Sequence, residues 1–320
     1  MRKTTALFAA IALLGGLTAC ASGTGTSASA GGNCSPVVSS GRASSLVTAT
    51  GRFGTAPTVK FPTPLYTKTT ERSTLTAGKG AVVQDGQPVV LDVTILNGAN
   101  GTVLQKTSYS ASGGSLITAG KSSFPAVSEG LRCAQVGSRI VIVGSAKDSH
   151  GGTADPANGI SKNDSFIYVV DVKKAFLAKA NGADQIPVNN MPAVVLTDNG
   201  TPGITVPDRV APTHSSVNVL KQGSGAKVAD QEFVVVKYTA IGWTSRAVFD
   251  STWANNQASV LQVGGAGMST GLSKAITGKR VGSQLLVVLT PKDSAVANGS
   301  GKAPSNDAAV YVVDILGIAG

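Results

Sequence analysis

The residues best suited to chemistry lie in the last third of the chain, where aromatic side chains accompany a single carboxylate. Tyr238 closes the run Val-Val-Val-Lys-Tyr, and Phe249 and Asp250 follow it in the next apolar segment. Tyr311 lies in the last apolar run. Aromatic rings can wall an apolar pocket, and a phenol and a carboxylate can serve as its polar groups. Such a set predicts that a ligand is bound and desolvated, which requires neither a nucleophile nor a metal.

The elements that must position these residues read as strands, with one helix between them. Short apolar, β-branched runs of strand length occur at 234–239, 285–289 and 309–315. The segment 270–279 has helical spacing, with Ser269 or Thr270 as the N-cap and Gly278 as its end. Because strands outnumber helices and no βαβ alternation occurs, the predicted class is α+β, with a curled antiparallel sheet over one short helix.

The chain matches itself at an offset of 145 residues, which predicts two tandem copies of one domain. Gly78, Gly80 and Ala81 meet Gly223, Gly225 and Ala226, and 168–171 meets 311–314 after the offset falls to 143. A period this long indicates a duplicated domain rather than a solenoid. We place the domains at 46–180 and 181–320, and interpret the Pro-rich segment 181–212 as an ordered N-terminal extension of the second.

The second copy resembles the FKBP-type peptidyl-prolyl cis–trans isomerases. The resemblance rests on 236–239, on 248–251, on Gly271 at the start of the helix, on 278–282 after it, and on Tyr311. It covers about 213–320, and through the internal repeat it extends to a weaker copy at about 70–175. It therefore implies two tandem FKBP-like domains.

The resemblance also implies a role for each site residue. Tyr238 and Phe249 would form the pocket wall, Asp250 a polar group near the substrate carbonyl, and Tyr311 the floor. At the rim the resemblance implies Met268 beside the substrate, the Ser269 backbone N–H as a donor to the bound peptide, and Leu272 at the base. In the alternative reading, Phe249 and Tyr311 are ordinary core aromatics and Asp250 is a turn residue.

This sequence departs from the family pattern at several pocket positions. Leu272 replaces the usual tryptophan at the pocket base, and Ser259 and Ala295 replace two further aromatic residues. Since each aromatic ring buries about 150–250 Å², the losses predict weak isomerase activity. Trp243 and Trp253 are near enough in sequence to compensate in part, but the sequence does not place them.

The first copy departs further. Val93, Leu104 and Gln105 occupy the positions of Tyr238, Phe249 and Asp250, and Tyr168 matches Tyr311. These changes keep the strands apolar while removing the polar groups. We therefore expect the first copy to be a structural or partner-binding module.

The N-terminus predicts export and a lipid anchor. Arg2 and Lys3 precede the apolar run 6–14, which is too short to span about 30 Å of hydrocarbon. Leu17-Thr18-Ala19-Cys20 resembles the lipobox of bacterial lipoproteins, which implies a signal peptide at 1–19 and a lipidated Cys20 followed by a flexible tether to residue 45. We expect a protein anchored on the extracytoplasmic face of the cell membrane; the alternative is an ordinary secretion signal with a chance cysteine.

Outside the cytosol the two other cysteines can pair. Once Cys20 is lipidated, Cys34 and Cys133 are the only ones left, so one bridge between them is the simplest arrangement. Two unpaired thiols are the alternative. A catalytic thiol is not expected, because neither cysteine has a histidine near it in sequence.

Composition limits the partners. The net charge is +10, but no run of Lys and Arg is interleaved with aromatic residues, so we expect no nucleic-acid partner. Three cysteines and two histidines provide few potential metal ligands, and we expect no cofactor. His150 and His214 are expected at the surface. The expected partners are proline-containing peptides or unfolded secreted proteins.

These features predict an envelope-tethered prolyl isomerase that assists the folding of secreted proteins. The rival hypothesis is a non-catalytic peptide-binding scaffold or chaperone on the same fold. The enzyme is favoured by the retained Tyr238, Phe249, Asp250 and Tyr311. The scaffold is favoured by Leu272, Ser259 and Ala295.

Overall fold

The computed structural model describes residues 34–111, 113–122, 124–186, 188–296 and 301–319. The predicted signal peptide and Cys20 lie outside these residues. Within the described ranges, no helix has both the length and the apolarity needed to cross a membrane.

The first half opens with a small unit and continues into a six-stranded antiparallel sheet. The elements in chain order are α1 (Arg42–Ser45), β1 (Thr48–Thr50), β2 (Thr58–Lys60), β3 (Glu71–Thr76), β4 (Pro88–Asn97), β5 (Val103–Lys106), β6 (Ser115–Thr118), α2 (Pro125–Leu131), β7 (Arg139–Gly144), α3 (Ala146–His150) and β8 (Phe166–Ala175). The sheet order is β3-β7-β8-β4-β5, and β6 also pairs with β4.

The second half repeats this plan in a seven-stranded sheet. Its elements are β9 (Ala183–Asp184), β10 (Ala193–Leu196), β11 (Pro202–Thr205), β12 (Ser216–Gln222), β13 (Phe233–Gly242), β14 (Val248–Ser251), β15 (Ser259–Gln262), α4 (Thr270–Ile276), β16 (Gln284–Leu289), α5 (Pro291–Ser294) and β17 (Ala309–Ile318). The order β14-β13-β17-β16-β12-β9, with β15 also on β13, matches the first sheet strand for strand and adds β9. The α+β prediction, with one antiparallel sheet and a helix on it in each half, is confirmed.

One face of each sheet packs on its helix and forms the main core. In the second half this core includes Ala275 and Ile276 of α4, together with alternate residues of β13, β16 and β17. The Ser269 hydroxyl caps α4 by accepting from the Leu272 N–H at 3.3 Å. The helix ends at Ile276 with Thr277 as its C-cap, and Gly278 then takes the left-handed φ of +76°, so Gly278 ends the helix as predicted.

The other face of each sheet is covered by a hairpin. The hairpin β1–β2 packs through Ala49 and Val59 on the first sheet, and β10–β11 packs through Val194 and Ile204 on the second. The Pro-rich segment between the two sheets is therefore an ordered part of the second sheet's outer core.

Cys34 and Cys133 form a disulfide with a Cα–Cα separation of 5.6 Å. The bond joins the first described residue to the loop after α2, across a sequence separation of 99 residues. Closing a loop of that length restricts the unfolded chain and stabilises the first half by about 4–5 kcal/mol in the chain-entropy model.

Candidate functional site

The four expected site residues come together on three adjacent strands of the second sheet. Ala240 of β13 is opposite Asp250 of β14 on one side and opposite Tyr311 of β17 on the other. Tyr238 is two residues before Ala240 and so shares its face. The register shifts between Ala240 and Ile241 and leaves Phe249 as an extra, bulged residue. The bulge turns Phe249 toward the core face as well, where it packs with Tyr311.

The three rings and the carboxylate are in direct contact. The Tyr238 hydroxyl donates to Asp250 Oδ2 at 2.6 Å. The ring centroids of Tyr238 and Tyr311 are 6.3 Å apart, and those of Phe249 and Tyr311 are 5.8 Å apart in an edge-to-face arrangement. These separations lie in the range of favourable aromatic pairs. The site is thus a cluster of rings around one carboxylate.

Burial and hydrogen bonding set the protonation of this cluster. Burial acts to raise the pKa of Asp250, but hydrogen bonds from Tyr238 and Lys302 and the charge of Lys302 outweigh it, and the pKa lies below its ordinary value. Burial, with the hydrogen bond to Asp250 adding to it, raises the pKa of Tyr238. Burial, and the charge of Asp250, raise the pKa of Tyr311 to about 12. At neutral pH the site holds one carboxylate and two neutral phenols.

Lys302 is a site residue that the sequence did not indicate. Its Nζ lies 2.9 Å from Asp250 Oδ1, while its side chain is 66% exposed. The contact comes from the chain between α5 and β17, more than fifty positions from Asp250, and no motif marks it. Neighbouring Ala303 packs on the aromatic core.

The three residues expected at the pocket base and rim are buried beside this cluster. Met268 and Leu272 belong to the same core as Tyr311. Ser269 is 3% exposed, and its hydroxyl is committed to capping α4. Leu272 fills the base with an aliphatic side chain, so one wall of the site offers no ring or ring N–H.

Neither tryptophan replaces the missing aromatic surfaces. Trp243 belongs to the core on the opposite face of the sheet and donates from Nε1 to the Arg209 carbonyl at 2.9 Å. Trp253 faces the first half, with Lys237 Nζ 4.6 Å from its ring centre. Ala295 is exposed. The aromatic site is therefore limited to Tyr238, Phe249 and Tyr311 within the described chain.

The corresponding place in the first half is an open cavity of about 830 Å³. Val93, Leu104, Gln105 and Tyr168 all line it, as the repeat predicts. Burial raises the pKa of Tyr168 to about 12, so this phenol is neutral. No carboxylate takes the place of Asp250 on β5, because Gln105 holds that register position.

The two histidines and the carboxylates do not assemble a metal site in the described part of the chain, where no group of three or more candidate ligands converges. His150 is half-buried and stacks on Phe166 with ring centroids 4.9 Å apart, so it is not a plain surface residue as expected. Its two ring nitrogens lie within 2.8 Å of the Thr153 and Asp164 carbonyl oxygens. His214 is exposed.

Comparison with known proteins identifies the class of the second half. Residues 224–316 match the family model for FKBP-type peptidyl-prolyl cis-trans isomerase. A probable FK506-binding protein of Corynebacterium glutamicum is 26% identical over 115 residues, which is 36% of this chain and 96% of that protein. The second half therefore carries an FKBP-type domain, and the family prediction is confirmed.

Solved structures of FKBP proteins also resemble the chain. The three FKBP domains of wheat FKBP73 are 18% identical, covering 78% of this chain and 94% of that chain with a TM-score of 0.34. FkpA from Escherichia coli is 18% identical, covering 39% of this chain and 51% of that chain with a TM-score of 0.29.

Proposed function

We propose that the second half catalyses cis–trans isomerisation of X–Pro bonds in extended polypeptides, with low efficiency. The observation that carries the proposal is the convergence of Tyr238, Phe249, Asp250 and Tyr311 around one bulge of β14. The FKBP-type domain supports such an activity in general. The identity of these four side chains as its site is part of the proposal.

The chemistry requires desolvation and positioning. An X–Pro amide rotates over a barrier of about 18–20 kcal/mol because resonance stiffens its C–N bond. The twisted amide is less polar than the planar one, so rings that remove water from the carbonyl favour the twisted state. Phe249 and Tyr311 supply the rings, and the Tyr238–Asp250 pair supplies polar groups at the site's edge. Low efficiency follows from Leu272, which leaves the base without a ring.

A protease-coupled proline-isomerisation assay on the full chain tests this activity. We expect a rate above the uncatalysed background, and a loss of most of the added rate in the double variant Tyr238→Phe, Asp250→Val. The matched control is Gln105→Val in the first half, at the same register position as Asp250. Rates at background for the unmodified chain, or equal rates for the control and the double variant, contradict the proposal.

A non-catalytic peptide-binding scaffold is the second candidate function. It is favoured by the first-half cavity, which lies at the matching place in the first sheet and has Gln105 at the register position of Asp250. In the assay above, this function predicts background rates together with saturable binding of the peptide substrate.

We further propose that the protein acts on the extracytoplasmic face of the cell membrane, anchored through lipid on Cys20, where translocated chains arrive unfolded. The sequence 17–20 and the Cys34–Cys133 disulfide support an exported protein. Metabolic labelling with a tagged fatty acid tests the anchor. We expect incorporation into the unmodified chain and none into Cys20→Ala, whose signal sequence is otherwise intact; equal labelling of both contradicts the anchor.

A further inference from the structure

We propose that the first-half cavity is a second binding site, which takes an extended polypeptide segment by its large apolar side chains and has no requirement for proline. The cavity, at about 830 Å³, lies within the usual range of ligand sites. It lies outside the isomerase site proposed above, and its occupancy does not depend on isomerase activity.

The first evidence is that this cavity gains apolar side chains where the second half has small or polar ones. A cavity that had only lost function would keep or shrink its apolar lining. Here three positions matched by sheet register or helix start carry larger apolar residues in the first half. The pairs, with the first half named first, are Ile95 and Ala240, Phe166 and Ala309, and Phe124 and Ser269.

The second evidence is the exposure of apolar side chains at the cavity mouth. Phe124 is 58% exposed and Val103 is 52% exposed, and both line the cavity. Phe124 is the N-cap residue of α2, and its side chain makes no capping hydrogen bond. A polar residue at this position would stabilise the helix. Apolar side chains that are exposed together at the rim of a cavity are typical of ligand-contacting surfaces.

The polar groups of the cavity select a polypeptide over a lipid or a small anion. The Thr118 hydroxyl is buried and has no hydrogen-bond partner among the described residues. A backbone N–H or C=O of an extended segment would satisfy this hydroxyl. Ser115 and Gln105, which also line the cavity, offer the segment further polar side chains. The described lining contains Asp148 and no lysine or arginine, so it offers no cation to a carboxylate or phosphate headgroup.

The second half contributes part of the mouth. Gln257 and Ala258 line the cavity, and Ala258 packs on the same small core as Leu116 of the first half. The next residue, Ser259, is opposite Val236 and so lies on the same face of the sheet as Tyr238. The start of β15 therefore borders both sites.

Fluorescence anisotropy tests the site with a short labelled peptide of leucine, phenylalanine and serine that contains no proline. We expect saturable binding to the full chain, and an increase in Kd of about tenfold for Phe124→Asp. The matched control is Phe53→Asp, which changes a 44% exposed phenylalanine in the β1–β2 turn and should leave Kd unchanged. Circular dichroism melts of both variants establish that they are folded.

The double variant Tyr238→Phe, Asp250→Val separates this inference from the isomerase proposal. It should lose isomerase activity and keep its affinity for the proline-free peptide. Equal affinities of Phe124→Asp and Phe53→Asp overturn the inference. Binding that disappears only in the double variant also overturns it, since the peptide would then occupy the second-half site. Binding of a fatty acid in place of the peptide overturns the assigned ligand class.

Discussion

Three matched positions on neighbouring strands carry different polar and charged residues in the two sheets. These residues determine which segment of the chain each sheet binds. In the first sheet the cross-strand neighbours are Asp92, Asp171 and Arg139, and in the second they are Lys237, Asp314 and Gln284. All six residues are buried. They lie on the sheet face opposite the helix, because strand neighbours such as Val93 and Val313 point into the helix-side core.

In the first half these residues bind the β1–β2 hairpin that covers the same sheet. Arg139 pairs with Asp171 through two bonds, of 2.6 and 2.7 Å, and donates to the carbonyls of Gly51, Arg52 and Thr55 in the β1–β2 turn. The buried ion pair is satisfied by backbone groups on the guanidinium side, an arrangement that compensates for its desolvation.

In the second half the matched residues bind backbone groups of the first half. Lys237 donates to the Gly86 carbonyl at 3.1 Å, and Asp314 accepts from the Ala180 N–H at 2.8 Å. Gln284 replaces the arginine and donates to Asp314 at 2.7 Å. The comparison teaches that one set of positions in a repeated domain serves an internal contact in one copy and the junction between copies in the other.

The largest expected effect comes from removing the carboxylate charge in each copy. Asp171→Asn leaves Arg139 buried without its counter-ion and should lower the free energy of unfolding by about 3–5 kcal/mol. Asp314→Asn should cost less than about 1.5 kcal/mol, because burial already raises the pKa of Asp314 and an amide retains an acceptor for the Ala180 N–H. Urea unfolding followed by circular dichroism measures both values. Equal losses in the two variants would show that the two carboxylates are energetically equivalent.

The burial of Lys237 against the first half should make the free energy of unfolding depend on pH. Burial lowers the pKa of Lys237 to about 8, against the opposing charges of Asp314 and Asp85. Since the unfolded lysine titrates near 10.4, the unfolded chain binds more protons above pH 8, and stability rises with pH there. Above about pH 10 the raised phenol pKa values act in the opposite direction.

We therefore expect the free energy of unfolding to rise by about 1–2 kcal/mol between pH 8 and 9.5. Lys237→Met should remove the rise, and exposed Lys60→Met should retain it. Guanidinium titrations at intervals of pH provide the measurement. A rise that persists in Lys237→Met would assign it to another group.

Much of the fold follows from the sequence, for reasons visible in particular elements. The Val-rich run of β13 and the closing run of β17 are too apolar and β-branched for anything but central strands. The offset of 145 residues predicts that the two sheets share an order, and they do. The two ends of α4 also follow from the sequence, because Ser269 caps its start and Gly278 takes the left-handed conformation just after its C-cap.

The site is harder to predict from the sequence than the fold, since several features in and around it depend on tertiary structure. The bulge at Phe249 is a register shift, which no local pattern reveals. Lys302 reaches Asp250 only through the path of a loop. The positions of the two tryptophans also do not follow from the sequence, because a side chain's face depends on the strand register around it. The gain of Phe124 at the first cavity requires both helix starts to be superposed.

The ring at Phe249 should matter for isomerisation, whereas a ring at the matching position of the first half should not. Phe249→Leu gives the second site the residue that the first site has at Leu104, and removes an edge-to-face contact with Tyr311. We expect kcat/KM for the proline-isomerisation substrate to fall about tenfold, for a loss of about 1.4 kcal/mol. Leu104→Phe should leave kcat/KM unchanged. An unaltered rate in Phe249→Leu would remove this ring from the proposed site.

The smallest effect should come from Lys302, whose ammonium is exposed and therefore screened by solvent. Lys302→Ala removes a favourable charge, so the lowered pKa of Asp250 should move up toward its ordinary value. At pH 7 the carboxylate stays ionised either way, and kcat/KM should change by less than about threefold, as for other exposed ion pairs. The low-pH limb of the rate profile should shift to higher pH in Lys302→Ala and return in Lys302→Arg. A limb that stays in place would mean that the hydrogen bonds from Tyr238 and the Ser251 backbone keep Asp250 ionised without Lys302, and would remove Lys302 from the proposed site.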